Sequence, residues 1–102
     1  MKADRLRGHL DALVLAVLDD GPRHGYAIAE ALSARSGGAV SMPTGTLYPA
    51  LHRMEAAGLL VGRDDVLNGR RVRYYAITDT GRAELAAGRA TLRQLATELL
   101  EP

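Results

Sequence analysis

Cysteine, tryptophan and phenylalanine are absent from this chain, and its four aromatic residues are all tyrosine. Without cysteine there is no disulfide framework, no thiolate metal site and no cysteine nucleophile. His9, His24 and His52 lie on three separate segments, with no carboxylate or second histidine at ligand spacing. There is no Ser/His/Asp arrangement and no phosphate-binding glycine loop, and Gly37-Gly38 reads only as a turn. These absences argue against an enzyme: no catalytic residue, no metal site and no cofactor is expected. No apolar run approaches the ~20 residues that a membrane span needs. The first residues, Met1 to Gly8, are charged and lack the apolar region of a signal peptide. The expectation is a cytoplasmic chain with no membrane partner.

Net charge is also small. Thirteen basic residues against twelve acidic ones leave +1, so bulk charge does not announce a polyanion as partner. Its distribution says more. Residues 52–75 hold Arg53, Arg63, Arg70, Arg71 and Arg73 against Glu55, Asp64 and Asp65, a local +2, whereas residues 76–102 carry a local −1. A local basic surface matters more for phosphate binding than the total. At 102 residues, 47% apolar and 25% charged, the chain has the composition of one small soluble domain with one modest core.

Residues 5–20 read as a first helix. Leu6, Leu10, Leu13, Val14, Val17 and Leu18 recur at three- and four-residue steps, and Asp19-Asp20-Gly21-Pro22 ends the run. Residues 25–36 read as a second helix with Ile28, Ala29 and Leu32 on its inner edge, stopped by Gly37-Gly38. At its start, Gly25 permits close backbone approach. Tyr26 reads either as a core tyrosine with a local hydrogen bond or as a hydroxyl that reaches a phosphate. After a connector at 39–43, residues 44–57 read as a third helix with two unlike edges. Leu47, Leu51 and Met54 form an apolar edge at i, i+4, i+7. Thr44, Thr46, Tyr48, Pro49, His52 and Arg53 form an edge that is small, hydroxylated and basic. Pro49 lacks an N–H, which predicts a helix start near Thr44 to Thr46 with a hydroxyl cap, or else a kink.

At residues 59–77 the period changes. Leu59-Leu60-Val61 and Val72 to Ile77 flank Asn68-Gly69, the strongest short hairpin signal. A two-residue loop sets Leu67 opposite Arg70 and Asp64 opposite Arg73. One face then carries Leu60, Tyr75 and Ile77, and the tip carries Arg70 and Arg71. Residues 78–101 read as a fourth helix, with Thr78 as N-cap and Asp79 at the positive end of the helix dipole. Leu85, Gly88, Leu92, Leu95 and Leu99 step by three and four along it, a heptad-like seam that reads as a dimer interface. In so small a chain a long leucine-seamed helix has little of its own to pack on, although part of it is expected to cover the first helix.

Three helices followed by a hairpin is the element order of a winged helix-turn-helix. The fold class expected is mainly α with a small β-hairpin: a winged helix-turn-helix over residues 1–78 and a C-terminal dimerisation helix over 79–102, in one compact unit. In that order of elements the third helix enters the major groove of DNA, which a helix fits by size, and the basic hairpin is the wing.

Residues 6–85 resemble the PadR family of bacterial transcriptional regulators. The matching stretches are Arg7-Gly-His-Leu-Asp11, Gly21-Pro-Arg-His-Gly-Tyr26, Gly45-Thr-Leu-Tyr-Pro-Ala-Leu-His-Arg53, Glu55-Ala-Ala-Gly-Leu59, Gly69-Arg-Arg71 and Arg73-Tyr-Tyr75 through Thr78 and Gly81. The single helix after the wing resembles the short subfamily. The resemblance implies a homodimer that binds a palindromic operator in double-stranded DNA, usually represses, and is released by an effector, often a small aromatic or multidrug-like compound. It also implies that Thr44, Thr46, Tyr48, Pro49, His52 and Arg53 face the groove and the phosphates, with Tyr26 and the wing residues Arg70, Arg71 and Arg73 in support. Arg53 is the expected base or phosphate contact, and Arg70 and Arg71 the sequence-independent ones. Two departures stand out. Drug-binding members stack their ligands on tryptophan, which this chain lacks, leaving tyrosine or leucine to line such a pocket. Met54 stands where leucine is common, a tolerated core exchange. The alternative function is a winged-helix module that binds protein and has no DNA role.

Overall fold

A computed structural model describes residues 2–100, with side chains from residue 10 onward. The elements run α1 (Lys2–Asp19), β1 (Arg23–His24), α2 (Gly25–Arg35), α3 (Thr44–Ala56), β2 (Leu60–Leu67), β3 (Arg70–Ile77) and α4 (Asp79–Leu100). The expected four helices and the hairpin are all present, and the fold is a winged helix. Leu6, on the expected apolar stripe of α1, and the end of the fourth helix at residue 101 lie outside the described side chains.

The core follows the periodicities with one exchange on α1: Leu13, on the expected stripe, is 37% exposed, and Leu15, off it, is buried. Val14, Leu15, Val17 and Leu18 of α1 meet Ile28 and Leu32 of α2 and the whole apolar edge of α3, Leu47, Leu51 and Met54. All three of those α3 side chains are fully buried. The hairpin lays Leu60, Tyr75 and Ile77 over this cluster, and Leu85 of α4 closes it. Helix α3 stops in a Schellman arrangement: Gly58 N–H donates to the Glu55 carbonyl and Leu59 N–H to the Met54 carbonyl. The chain thereby turns directly into β2.

The hairpin register is the expected one. Leu67 pairs with Arg70, Asp64 with Arg73 and Leu60 with Ile77. Asn68 and Gly69 have φ of 52° and 77°. A two-residue turn of this twist needs positive φ at both positions, which asparagine tolerates and glycine adopts freely. Thr78 caps α4: its hydroxyl accepts from Gly81 N–H at 3.0 Å and donates to the Gly58 carbonyl at 2.6 Å.

Four further details differ from the sequence reading. Helix α1 begins at Lys2, three residues earlier than the apolar stripe required. A strand precedes α2: Arg23 and His24 pair with Tyr75 and Tyr74, giving a three-stranded antiparallel sheet in the order β1-β3-β2. Two residues are too few to show a period. The hydroxyl cap expected on α3 is not there; Pro43 is the N-cap, and its carbonyl accepts from Thr46 and Leu47 N–H without any side-chain cap. Pro49 is then the sixth helical residue, beyond the first turn. The donor that it lacks frees the carbonyl of Gly45, on the exposed edge of the helix.

Candidate nucleic-acid interface

The exposed edge of α3 carries every residue that the sequence assigned to it: Thr44, Thr46, Tyr48, Pro49, His52 and Arg53 are all exposed. At about 100° per residue, the midline of that edge runs Gly45, Pro49, His52, Ala56. These side chains are small apart from His52, so the helix surface is low along its middle. Arg53 falls on one flank and Glu55 on the other. The N-terminal half is uncharged and hydroxyl-bearing, fit to approach phosphate oxygens and base edges.

Helix α2 is set against α3 by a close approach. A Cβ on Gly25 would lie 2.8 Å from Cε1 of Tyr48 and 2.9 Å from its hydroxyl oxygen, so the tyrosine ring lies on bare backbone at the start of α2. Tyr26, the next residue, is 63% exposed. Its position as the second residue of α2 turns it outward, which sets aside the core reading. The N-cap of α2 is His24, whose Nδ1 accepts from Ala27 N–H at 3.2 Å. Its ring meets Tyr74 edge-on, with centroids 5.7 Å apart. The first N–H groups of α2 have no partner within the helix, and this end presents partial positive charge beside Tyr26 and Tyr48.

The five arginines of residues 52–75 divide into two groups. Arg53 is held in a fork by Asp11 of α1, Nη1 to Oδ2 at 2.7 Å and Nη2 to Oδ1 at 2.8 Å. Arg73 reaches Glu55 on α3 at 2.6 Å and Asp64 on β2 at 2.8 Å, with its guanidinium carbon 5.9 Å from the centre of the Tyr75 ring. Hydrogen bonding to Asp11 raises the pKa of Arg53 above its ordinary value, and hydrogen bonding to Glu55 and then Asp64 does the same for Arg73. Arg63, Arg70 and Arg71 make no ion pair among the described residues and are exposed on the hairpin. Set against Asp65, they leave a local +2 concentrated on the wing.

The structure therefore brings Tyr26, Tyr48, the α3 edge and the wing to the surface, and ties Arg53 and Arg73 to neighbouring carboxylates. Sequence reasoning missed Asp11 as a partner of Arg53 because 42 positions separate them. It missed Glu55 as a partner of Arg73 because only the packing of the hairpin against α3 sets them side by side. Along α4, Leu85 is buried in the chain's own core and Gly88 lies against Ala12 of α1, whereas Leu92, Leu95 and Leu99 are exposed. No group of residues suited to hold a metal ion, and no helix long and apolar enough to cross a membrane, occurs among the described residues.

This geometry has counterparts among known proteins. Residues 14–87 match the transcriptional regulator PadR-like family. The chain is similar to transcriptional regulator Rv3488 of Mycobacterium tuberculosis, 48% identical over 81 residues that cover 79% of this chain and 73% of that protein. Among solved structures, a transcriptional regulator from Clostridium thermocellum superposes with a TM-score of 0.81 at 25% identity, covering 95% of this chain and 94% of the other. Bacillus subtilis PadR, solved in complex with operator DNA, superposes with a TM-score of 0.70 at 25% identity over 76% of this chain and 45% of its own.

Proposed function

The chain belongs to the PadR-like family of transcriptional regulators, and on that premise we propose that it is a sequence-specific DNA-binding repressor acting as a homodimer on a palindromic operator. One observation carries the reading. The low, hydroxyl-bearing edge of α3 is exposed along its length, and beside it stands a wing bearing three arginines without carboxylate partners among the described residues. A helix of this profile fits the major groove, and the wing arginines fit the flanking phosphates. The related PadR in complex with operator DNA supports the same partner for this chain.

The homodimer is supported by the leucines that α4 leaves uncovered, Leu92, Leu95 and Leu99. Paired through them, two copies would present two α3 helices to half-sites about one helical turn, ~34–36 Å, apart. Release by a small-molecule effector completes the reading. Such a protein works in the cytoplasm, where its DNA is.

The test is selection of bound duplexes from a randomised DNA pool, followed by fluorescence anisotropy and sedimentation. The expected result is an inverted repeat bound by two chains, with Leu95→Glu giving a monomer of much lower affinity. Absence of binding at low salt would sink the repressor reading in favour of a protein-binding module.

A further inference from the structure

We infer that Arg53 and Arg73 are positioning residues that clamp the roll of α3 between α1 and the wing, and that phosphate binding falls to Arg63, Arg70 and Arg71. The inference rests on the DNA-binding reading and goes beyond it, because it reassigns two arginines that a sequence reading places on the DNA.

The last turn of α3 carries Arg53 and Glu55, two residues apart and so about 200° apart around the helix. Arg53 is tied to Asp11 of α1 by two hydrogen bonds of 2.7 and 2.8 Å. Glu55 is tied to Arg73 of β3 at 2.6 Å. The two ties pull on opposite flanks of one helical turn, so rotation of α3 in either direction breaks one of them. Between the flanks lies the low midline that the groove would receive. The planar fork of arginine suits such a tie, because paired N–H donors fix angle as well as distance.

Glycine at position 62 makes room for the second tie. A Cβ there would lie 2.5 Å from Nε of Arg73 and 2.6 Å from its Nη2, so the guanidinium crosses β2 over bare backbone to reach Glu55. Arg73 also touches Asp64, its cross-strand partner in the hairpin register. The wing, the sheet and α3 are thereby joined at one side chain. Arg63, Arg70 and Arg71 have no such engagement among the described residues.

The competing account is a masked contact, in which Asp11 holds Arg53 only until phosphate displaces it. The two accounts differ in sign. Asp11→Asn removes a negative charge and frees Arg53. A masked contact then binds DNA more tightly and with a steeper salt dependence. A clamp binds more weakly at every salt concentration, because α3 is released on one flank.

The experiment measures anisotropy of the full chain on a duplex selected from a randomised pool, over a salt series, with circular dichroism confirming the fold of each variant. Arg70→Ala and Arg71→Ala are expected to flatten the plot of log K against log salt by about 0.9 for each phosphate that is no longer neutralised. Asp11→Asn, Arg53→Lys and Gly62→Ala are expected to keep the wild-type slope while lowering affinity about tenfold, the size of one mismatched base pair. Arg53→Lys retains the charge but not the fork, and Gly62→Ala alters no charge at all. Tighter binding by Asp11→Asn, or a flatter slope in Arg53→Ala while the wild type binds, overturns the assignment alone. A wild-type chain that binds no duplex at low salt overturns the DNA reading and this division of labour with it.

Discussion

Gly81→Ala and Gly88→Ala make the same chemical change in one helix, and the structure sets their outcomes apart. Each removes a glycine from α4, which by intrinsic propensity alone gains up to ~1 kcal/mol in a helix interior. At Gly88 the new methyl would lie 3.2 Å from Cβ of Ala12, a contact that α1 and α4 relieve by parting a few tenths of an ångström. Gly88→Ala is therefore expected to match the wild type to within about 0.5 kcal/mol or to exceed it. At Gly81 the methyl would enter the van der Waals envelope of the Leu59 carbonyl oxygen and lie 2.8 Å from Cγ1 of Ile77. That carbonyl accepts from Thr78 N–H at 3.1 Å, and the Thr78 hydroxyl ties the same junction to Gly58. The obstacle is backbone held by hydrogen bonds, so the start of α4 must lift. Overpacking of this kind costs about 1–3 kcal/mol. Weakening two hydrogen bonds adds about 1 kcal/mol each. Position 81 is in the first turn, where the propensity gain is small, and the net expectation is a loss of about 3–5 kcal/mol. Urea unfolding followed by circular dichroism reads this directly, at equal protein concentrations because an associating chain unfolds in a concentration-dependent way. A Gly81→Ala midpoint at or above that of the wild type, with an unchanged m value, would refute the packing described at this junction.

Two further outcomes follow from single side chains. His24→Ala removes the acceptor for Ala27 N–H and should cost about 1 kcal/mol, seen as a lower Tm; an unchanged Tm would mean that the cap contributes nothing. Burial of Tyr75 raises its phenol pKa above the ordinary 10.0. A group whose folded pKa is raised contributes stability that is present below its unfolded pKa and lost as pH rises through the folded one. Stability should therefore fall as pH climbs beyond about 10, with one of the four tyrosines ionising late in an absorbance titration, and Tyr75→Phe should flatten the fall.

Much of the fold is legible in the residues. Leu47, Leu51 and Met54 recur at helical spacing, and that spacing alone requires one buried edge and one free edge on α3. Asn68-Gly69 sets the hairpin register through turn geometry, so the facing of Leu60, Tyr75 and Ile77 follows without any tertiary information. Thr78 is legible as a cap because a hydroxyl before a helical run has a local use. What escapes is either too short or too far apart. β1 has two residues and no period, and Pro43 caps α3 with its carbonyl, which every residue carries.

Local patterning thus determined the elements of this protein, their order and the faces they bury, because those depend on interactions between residues a few positions apart. Only the tertiary structure decided which of the exposed cations are free. In the sequence nothing pairs Arg53 with a carboxylate, and the hairpin register offers Arg73 only Asp64. An ion pair needs two charges within a few ångströms, and whether Asp11 comes within reach of Arg53, or Glu55 within reach of Arg73, is settled by how α1, α3 and the wing pack together.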